Sequence, residues 1–377
     1  MPTGALTSAE DLEDFIRGLT VLGTGGGGRP DAGRAALLPL IEQGGQPCWR
    51  PLEGIGDDDL FCSLSGLGSI APVPPMSEEE RVAAGYPRQM QAEPPMLRAL
   101  KALEAHLGRK IAGIYPIELG AGNSPMPLAA AMAAGIDMVD CDCAGRAIPE
   151  MSQSTIARSG IPFAPAVYAD HWGMLMTVSD CNSMLLGERL GKAISTVTKA
   201  ADMKAQLARA AFVVDGRTLK RHALSGGLSQ ALQLGRAISA ARRAGTDATD
   251  AAAAAMGGRV VHRGRLVRKS WESREGYMFG DLYIDAADGS KARIWLKNEN
   301  HIVWIDDVPR YTSPDLICVV QAHTAEPYTN TTLPEGIDVA VIVAPAPPQL
   351  RTPEAIAALG PRHYGFDLDY LPLEIAQ

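Results

Sequence analysis

ELGAGNSPMPLAAAMAAGIDMVDCDCAGRAIPE, residues 118–150, is the stretch whose reading decides the fold. The apolar run 111–117 just before it has the length of a strand, with Tyr115 and Pro116 disturbing its end. Gly120 and Gly122 permit a tight turn, Asn123 or Ser124 is a good N-cap, and Pro125 or Pro127 suits a first helical turn. Residues 128–134 have helix composition, and Gly135 is a natural residue to end the helix. Residues 136–143 read as a second strand, so the segment spells a β-α-β unit. With a period of two, Val139, Cys141 and Cys143 share one face, and Met138, Asp140 and Asp142 the other. Two carboxylates on one face of an apolar strand are costly to bury unless a cation, a metal or a donor meets them. Arg146 is the nearest candidate along the chain. Ionisable groups cluster at both strand ends, where α/β proteins place their ligands.

Working outward, Thr7-Ser8-Ala9-Glu10 matches a capping box and predicts a helix over 8–19, with a second helix over 31–43 after the glycine loop 23–28. Residues 61–70 read as a strand leading into Ala71-Pro-Val-Pro-Pro75, and 90–107 as a polar helix. Beyond a composition shift near 162–172, helices are expected over 185–210 and 228–244, with a strand at 211–214 between them. Strand-like alternation over 260–308, with a turn at Asp288-Gly289, marks a small β subdomain, and 315–320 and 337–343 read as closing strands. The expected fold is α/β. It has an N-terminal three-layer α/β domain over 1–168, holding the β-α-β site unit, and a C-terminal α+β domain over 169–377 with a β-rich insertion at about 257–312.

Composition excludes several functions. The 377 residues carry a net charge of −8, 46% hydrophobic and 5% aromatic residues. No basic patch interleaved with aromatics is present, so nucleic acid is not the expected partner. No apolar run reaches the roughly 18 residues of a membrane span, and the start has no basic, then apolar, leader. Six scattered cysteines without a secretory context are expected as free thiols in a reducing cytoplasm. The Ala-rich helices point to a homo-oligomer, with a small molecule as the substrate.

The loop 23–28 exposes backbone N–H groups ahead of a helix, as phosphate-cradling loops do, although it follows a helix and lacks a P-loop ending. A tight helix–helix turn explains it equally. Glu118 stands beside Gly120, Gly122 and Asn123 at a helix N-terminus, a place to position a ligand. His171 and His323 each follow an apolar segment and can reach a cleft between domains. Ser225 opens a Ser-Gly-Gly-Leu-Ser loop ahead of a helix, which suits an anionic substrate. Asp and Cys together suit zinc or a similar ion, but Cys-x-Cys is not the spacing of structural zinc.

Four ordered segments, Gly23-Thr-Gly-Gly-Gly-Gly28, Glu118-Leu-Gly-Ala-Gly-Asn123, Asp140-Cys-Asp-Cys-Ala-Gly-Arg-Ala-Ile-Pro-Glu150, and Ala344-Pro-Ala-Pro-Pro348 with Arg351-Thr-Pro-Glu354, resemble the S-methyl thiohydantoin desulfurase family over nearly the whole chain. The resemblance implies removal of sulfur from a thiohydantoin ring. The expected reaction is metal-assisted hydrolysis of a 2-thiohydantoin-like cyclic thioamide to hydantoin and sulfide. A divalent transition metal, zinc by preference, would polarise the sulfur and its water. Asp142, Cys143, His171 and His323 are the candidate ligands. Asp140 or Glu150 is the candidate base. Arg146, Glu118, Asn123, Ser225 and the Gly25, Gly26, Gly27 and Gly28 amides are candidates to orient the substrate. The alternatives are nucleotide-assisted, oxoprolinase-like ring opening of a hydantoin, and small-molecule binding without catalysis.

Overall fold

The computed structural model describes residues 4–68, 76–200 and 207–374. Among these, nine strands form a first sheet: β1 (Gly4–Ala5), β2 (Cys48–Pro51), β3 (Leu60–Leu67), β4 (Gly113–Tyr115), β5 (Asp137–Asp142), β6 (Ala166–Asp170), β7 (Leu175–Val178), β8 (Leu207–Asp215) and β9 (Leu224–Ser225). Their order is β1-β2-β5-β4-β3-β8-β6-β7, with β9 beside the end of β5. The centre, β2-β5-β4-β3, is parallel, and its flanks are antiparallel. The helix Pro125–Ala134 makes the crossover from β4 to β5, starting after Ser124 and ending on Gly135 in the left-handed region.

Alternate residues of the central strands enter different cores. Cys62, Ile114 and Met138 pack on one face with Ile16, Leu103 and Leu128. Phe61, Tyr115 and Val139 pack on the other with Ile156, Leu219 and Leu359. Helices therefore cover both faces, the three-layer arrangement expected of strands apolar on both sides.

The second sheet is antiparallel throughout: β10 (Arg259–Arg274), β11 (Tyr277–Asp285), β12 (Lys291–Lys297), β13 (Glu299–Ile305), β14 (Val308–Thr312), β15 (Leu316–Gln321) and β16 (Asp338–Ala344), ordered β14-β13-β12-β11-β10-β16-β15. Its hairpins are tight. Asp306 and Asp307 take φ of 50° and 62° between β13 and β14, as a two-residue type I′ turn needs. Asn298, at φ 58°, alone joins β12 to β13.

Several boundaries differ from the sequence reading. The helix expected over 185–210 is Met184–Ala200, and β8 already runs from Leu207, so the strand expected at 211–214 starts earlier. Alternation of Leu207, Arg209 and Ala211 with small residues mimics a helix by composition, and pairing with β3 and β6 decides the matter. The polar helix expected over 90–107 is Pro95–Leu107. The first helix is Ala9–Leu22, capped by Ser8 rather than Thr7, because the Ser8 hydroxyl accepts from the Asp11 N–H. The 71–75 stretch, the end of the 61–70 strand and residues 201–206 lie outside the described residues. The β region is no insertion, since the expected closing strands belong to the same seven-stranded sheet. A boundary after residue 168 falls within β6, and β8 and β9 return to the first sheet.

The helix Gly227–Ala244 then packs along Ala9–Leu22, tying the two halves of the chain. A Cβ on Gly18 would lie 1.8 Å from the Ala231 carbonyl oxygen, and one on Gly235 1.7 Å from that of Asp14. Backbone cannot yield as a flexible side chain does, so overpacking here is at the costly end of its range. Gly235→Ala is expected to lower the unfolding free energy by about 3 kcal/mol, read by urea titration; a loss under about 0.5 kcal/mol would contradict this close helix pairing.

Candidate active site

The glycine loop sits between the two sheets and is bonded to both. Thr24 O accepts from Asn300 N at 2.9 Å, and Gly25 O from Asn330 N at 2.7 Å, both on the second-sheet side. Gly27 O accepts from Gly122 N at 3.0 Å and Asn123 N at 3.1 Å on the first-sheet side. Gly25, Gly27 and Gly28 take φ of 98°, 78° and 83°. A Cβ on Gly27 would lie 2.5 Å from the Gly120 Cα, so two glycines are needed where the turns cross.

Beside this loop opens a cavity of about 950 Å³. It lies beyond the carboxyl ends of β3 and β4, between the two sheets. Gly26, Gly27, Gly28, Glu118 and Asn123 line it. Glu118 leaves the end of β4 and keeps part of its surface open to the cavity. Asn123 Nδ2 donates to one of its oxygens and Ile148 N donates to the other at 2.6 Å. Burial raises its pKa to about 7 against the pull of these two donors and of Lys192.

A second carboxylate, which sequence reasoning missed, faces the first. Glu299 begins β13 directly after the Asn298 turn, is 3% exposed, and lines the same cavity. Its Oε1 lies where a Gly26 Cβ would be, 1.8 Å from that position, so Gly26 makes room for it. Its Oε2 has no hydrogen-bond partner among the described residues. Burial, reinforced by the nearby Glu118 charge, pushes Glu299 well above the carboxylate range. Glu188, Lys192, Lys199 and Arg209 also border the cavity. No sequence signal marked Glu299. A lone Arg209 in the apolar run Leu207-Ala-Arg-Ala-Ala-Phe212 was a signal available for that residue.

The other residues singled out in the sequence are engaged elsewhere. Arg146 is 0% exposed and does not face the cavity. It donates to Thr24 Oγ1 and the Asn300 carbonyl, each at 2.9 Å, to the Asp315 carbonyl at 3.0 Å and to the Ala147 carbonyl at 3.1 Å. Its role is therefore to join the glycine loop to β13 and to the start of β15, not to orient substrate. Asp140 is no free base: it accepts from Leu228 N at 3.0 Å, Ser229 N at 3.1 Å and the Ser229 hydroxyl, closing the N-terminus of the Gly227–Ala244 helix. Glu150 pairs with Lys297 and, at 3.0 Å, with His363. Burial works to raise it, but these hydrogen bonds outweigh burial and hold it at about 2, too acidic for a base at neutral pH. Ser225 donates to Glu53 at 2.8 Å on the outside, and Gly25 abuts Asn330 rather than the cavity.

The four expected metal ligands do not come together. Asp142 is buried and accepts from the Ala144 and Gly145 N–H groups, with burial raising it to about 7. The buried Cys143 thiol is pushed well above its ordinary pKa by burial and by Asp142. His323 is exposed beyond β15, paired with Asp247 at 3.1 Å, and His171 sits on the β6–β7 turn, its carbonyl accepting from Gln91 N. Among the described residues no three His, Cys, Asp or Glu side chains are placed to hold a metal ion. No helix among them is long and apolar enough to cross a membrane.

Arg146→Ala is expected to cost about 3–5 kcal/mol, since it strands buried acceptors and opens a void, and Asp140→Ala about 1–2 kcal/mol through a lost cap. Chemical denaturation checks both; equal losses would contradict the different burdens assigned here.

A family model described as S-Me-THD-like, N-terminal domain, matches residues 10–180, and one described as S-Me-THD-like, C-terminal domain, matches 187–373. A crystal structure of a protein from Chromobacterium violaceum superposes with a TM-score of 0.76 at 20% identity, covering 98% of this chain and 100% of that one. A comparison with curated proteins returned no match. The chain belongs to the S-Me-THD-like family.

Proposed function

We propose, starting from that membership, that the chain hydrolyses a 2-thiohydantoin-like cyclic thioamide to the hydantoin and hydrogen sulfide, using Glu118 as base and Glu299 as acid. The observation that carries this reading is the pair of carboxyl groups in one cavity, Glu118 raised to about 7 by burial and Glu299 raised further from the ordinary range by burial and the Glu118 charge. Two carboxyls whose surroundings drive their proton affinities apart are suited to opposite roles.

The ionised Glu118, fixed by Asn123 and the Ile148 N–H, takes a proton from water as its oxygen attacks the thiocarbonyl carbon. Negative charge grows on sulfur. Glu299, protonated and with one oxygen unpartnered, gives its proton to that sulfur as the carbon–sulfur bond breaks. The oxygen of the attacking water becomes the new carbonyl as sulfur leaves as hydrosulfide, and the remaining hydroxyl proton of that water passes through solvent to the hydrosulfide, giving hydrogen sulfide. Glu118 hands its proton back to Glu299 through solvent to close the cycle. The Gly27 and Gly28 N–H groups, which have no hydrogen-bond partner among the described residues, offer donors to the ring or to the developing charge.

The test is incubation with a 2-thiohydantoin while sulfide and the ring product are followed. Sulfide with intact hydantoin supports the reading. A ring-opened acid without sulfide, dependent on nucleotide, would replace it with ring-opening hydrolysis. Glu118→Gln is expected to lower kcat/KM by about 100-fold or more. As Glu118 must be ionised, kcat/KM should rise about tenfold per pH unit below pH 7 and level off above it. A profile flat from pH 5 to 8 would remove Glu118 from the base role.

A further inference from the structure

The cavity is larger than a bare five-membered ring requires, and Arg209, Lys192 and Lys199 are among the side chains that line it. Arg209, on β8, is 3% exposed. Its Nη2 donates to Ser65 Oγ at 2.9 Å, and the guanidinium lies 5.5 Å from the centre of the Phe163 ring. Its Nη1 is buried without a partner among the described residues. Lys192 and Lys199, on the helix Met184–Ala200, line the same space. Lys192 Nζ sits 4.5 Å above the Tyr277 ring, and neither lysine forms an ion pair with a carboxylate among the described residues. Lys199 packs against Gly68, where a Cβ would lie 2.6 Å from its Nζ. Burial, with Lys192 nearby, lowers it to about 8. The anion nearest this group along the helix is Glu188, 6% exposed, which accepts weakly from Met151 N at 3.4 Å. Lys192 also feels the Glu118 and Glu299 charges, which leaves Arg209, with its unpartnered Nη1, and Lys199 as a positive surplus beside the cavity, costly unless a ligand anion meets it.

We infer that Arg209, Lys192 and Lys199 form a subsite for a carboxylate carried on the substrate's ring substituent, so that the ring lies toward Glu118 and Glu299 while its acidic arm reaches β8. The planar guanidinium suits a carboxylate, with the ammonium groups adding point charge. The inference deepens the reading of the cavity as the substrate site, but it concerns binding rather than the reaction.

The experiment has two arms. In the first, calorimetry compares hydantoin-5-acetic acid with 5-ethylhydantoin, its uncharged counterpart. The acid is expected to bind at least tenfold more tightly, and Lys199→Met to cut that ratio below threefold; Arg209→Gln, if it folds, should do the same. Equal binding of the two ligands, or an unchanged ratio in Lys199→Met, would overturn the subsite. In the second arm, Lys199 is acetylated with an amine-reactive ester and followed by mass spectrometry. Succinate should protect it and succinamide should not. If neither hydantoin binds while succinate still protects, the anion site stands and the ring-hydrolysis reading fails. If inorganic phosphate protects more than tenfold better than succinate, the carboxylate assignment is overturned in favour of a phosphate. If neither anion protects, the subsite is wrong.

Discussion

Everything around the cavity depends on one buried guanidinium. Arg146 reaches the glycine loop, β13 and the start of β15, and those acceptors lie 122 to 169 residues away along the chain. A charge taken wholly out of water is tolerated because fixed oxygens replace its hydration. Removing it would leave Thr24, Asn300 and Asp315 without their common donor. The same loop that Arg146 anchors through Thr24 carries Gly26, whose missing side chain leaves room for the Glu299 carboxylate. The place of Glu299 thus depends on a residue that does not line the cavity.

The acidic side of the same seam is equally committed. The Asp315 carboxylate accepts from Ala346 N at 2.9 Å, Leu373 N at 2.8 Å, Tyr370 OH at 2.6 Å and Arg351 at 3.2 Å. The Ala-Pro-Ala-Pro-Pro tail wraps across Gly145, whose position a side chain would crowd against Pro347 at 2.8 Å. Residues that look catalytic by type are therefore spent on closing the chain upon itself. In the proposed reaction, the chemistry falls to Glu118 and Glu299, in a cavity that Arg209, Lys192 and Lys199 also line.

Local physics was legible in the sequence, and long-range pairing was not. The turn at Gly120, the helix ending on Gly135 and the two faces of the 137–142 strand follow from backbone preference and period, which act within a few residues. Asp140 looked like a free base because its partners, Leu228 and Ser229, are 88 and 89 residues away. Glu150 looked like a base for the same reason, its neutralisers being Lys297 and His363. The metal expectation joined His171 and His323 to Asp142 by residue type alone, and the topology sends them to different edges. Glu299 carries no local mark because its place comes from a one-residue hairpin turn meeting Gly26 in the loop between the two sheets. The desulfurase-like resemblance rested on turn glycines and short motifs, which mark fold and family more directly than they mark chemistry.

The crossing of halves that builds this site also orders its birth. Glu118, Asn123 and the glycine loop belong to the part of the chain made first, while Glu299 arrives on a hairpin of the second sheet and Arg209, on β8, comes between them. A chain that has not yet reached residue 299 also lacks the Asn300 and Asn330 N–H groups that hold the glycine loop and the Asn300 and Asp315 carbonyls that hold Arg146, so the loop gains its anchors only once the second sheet is made.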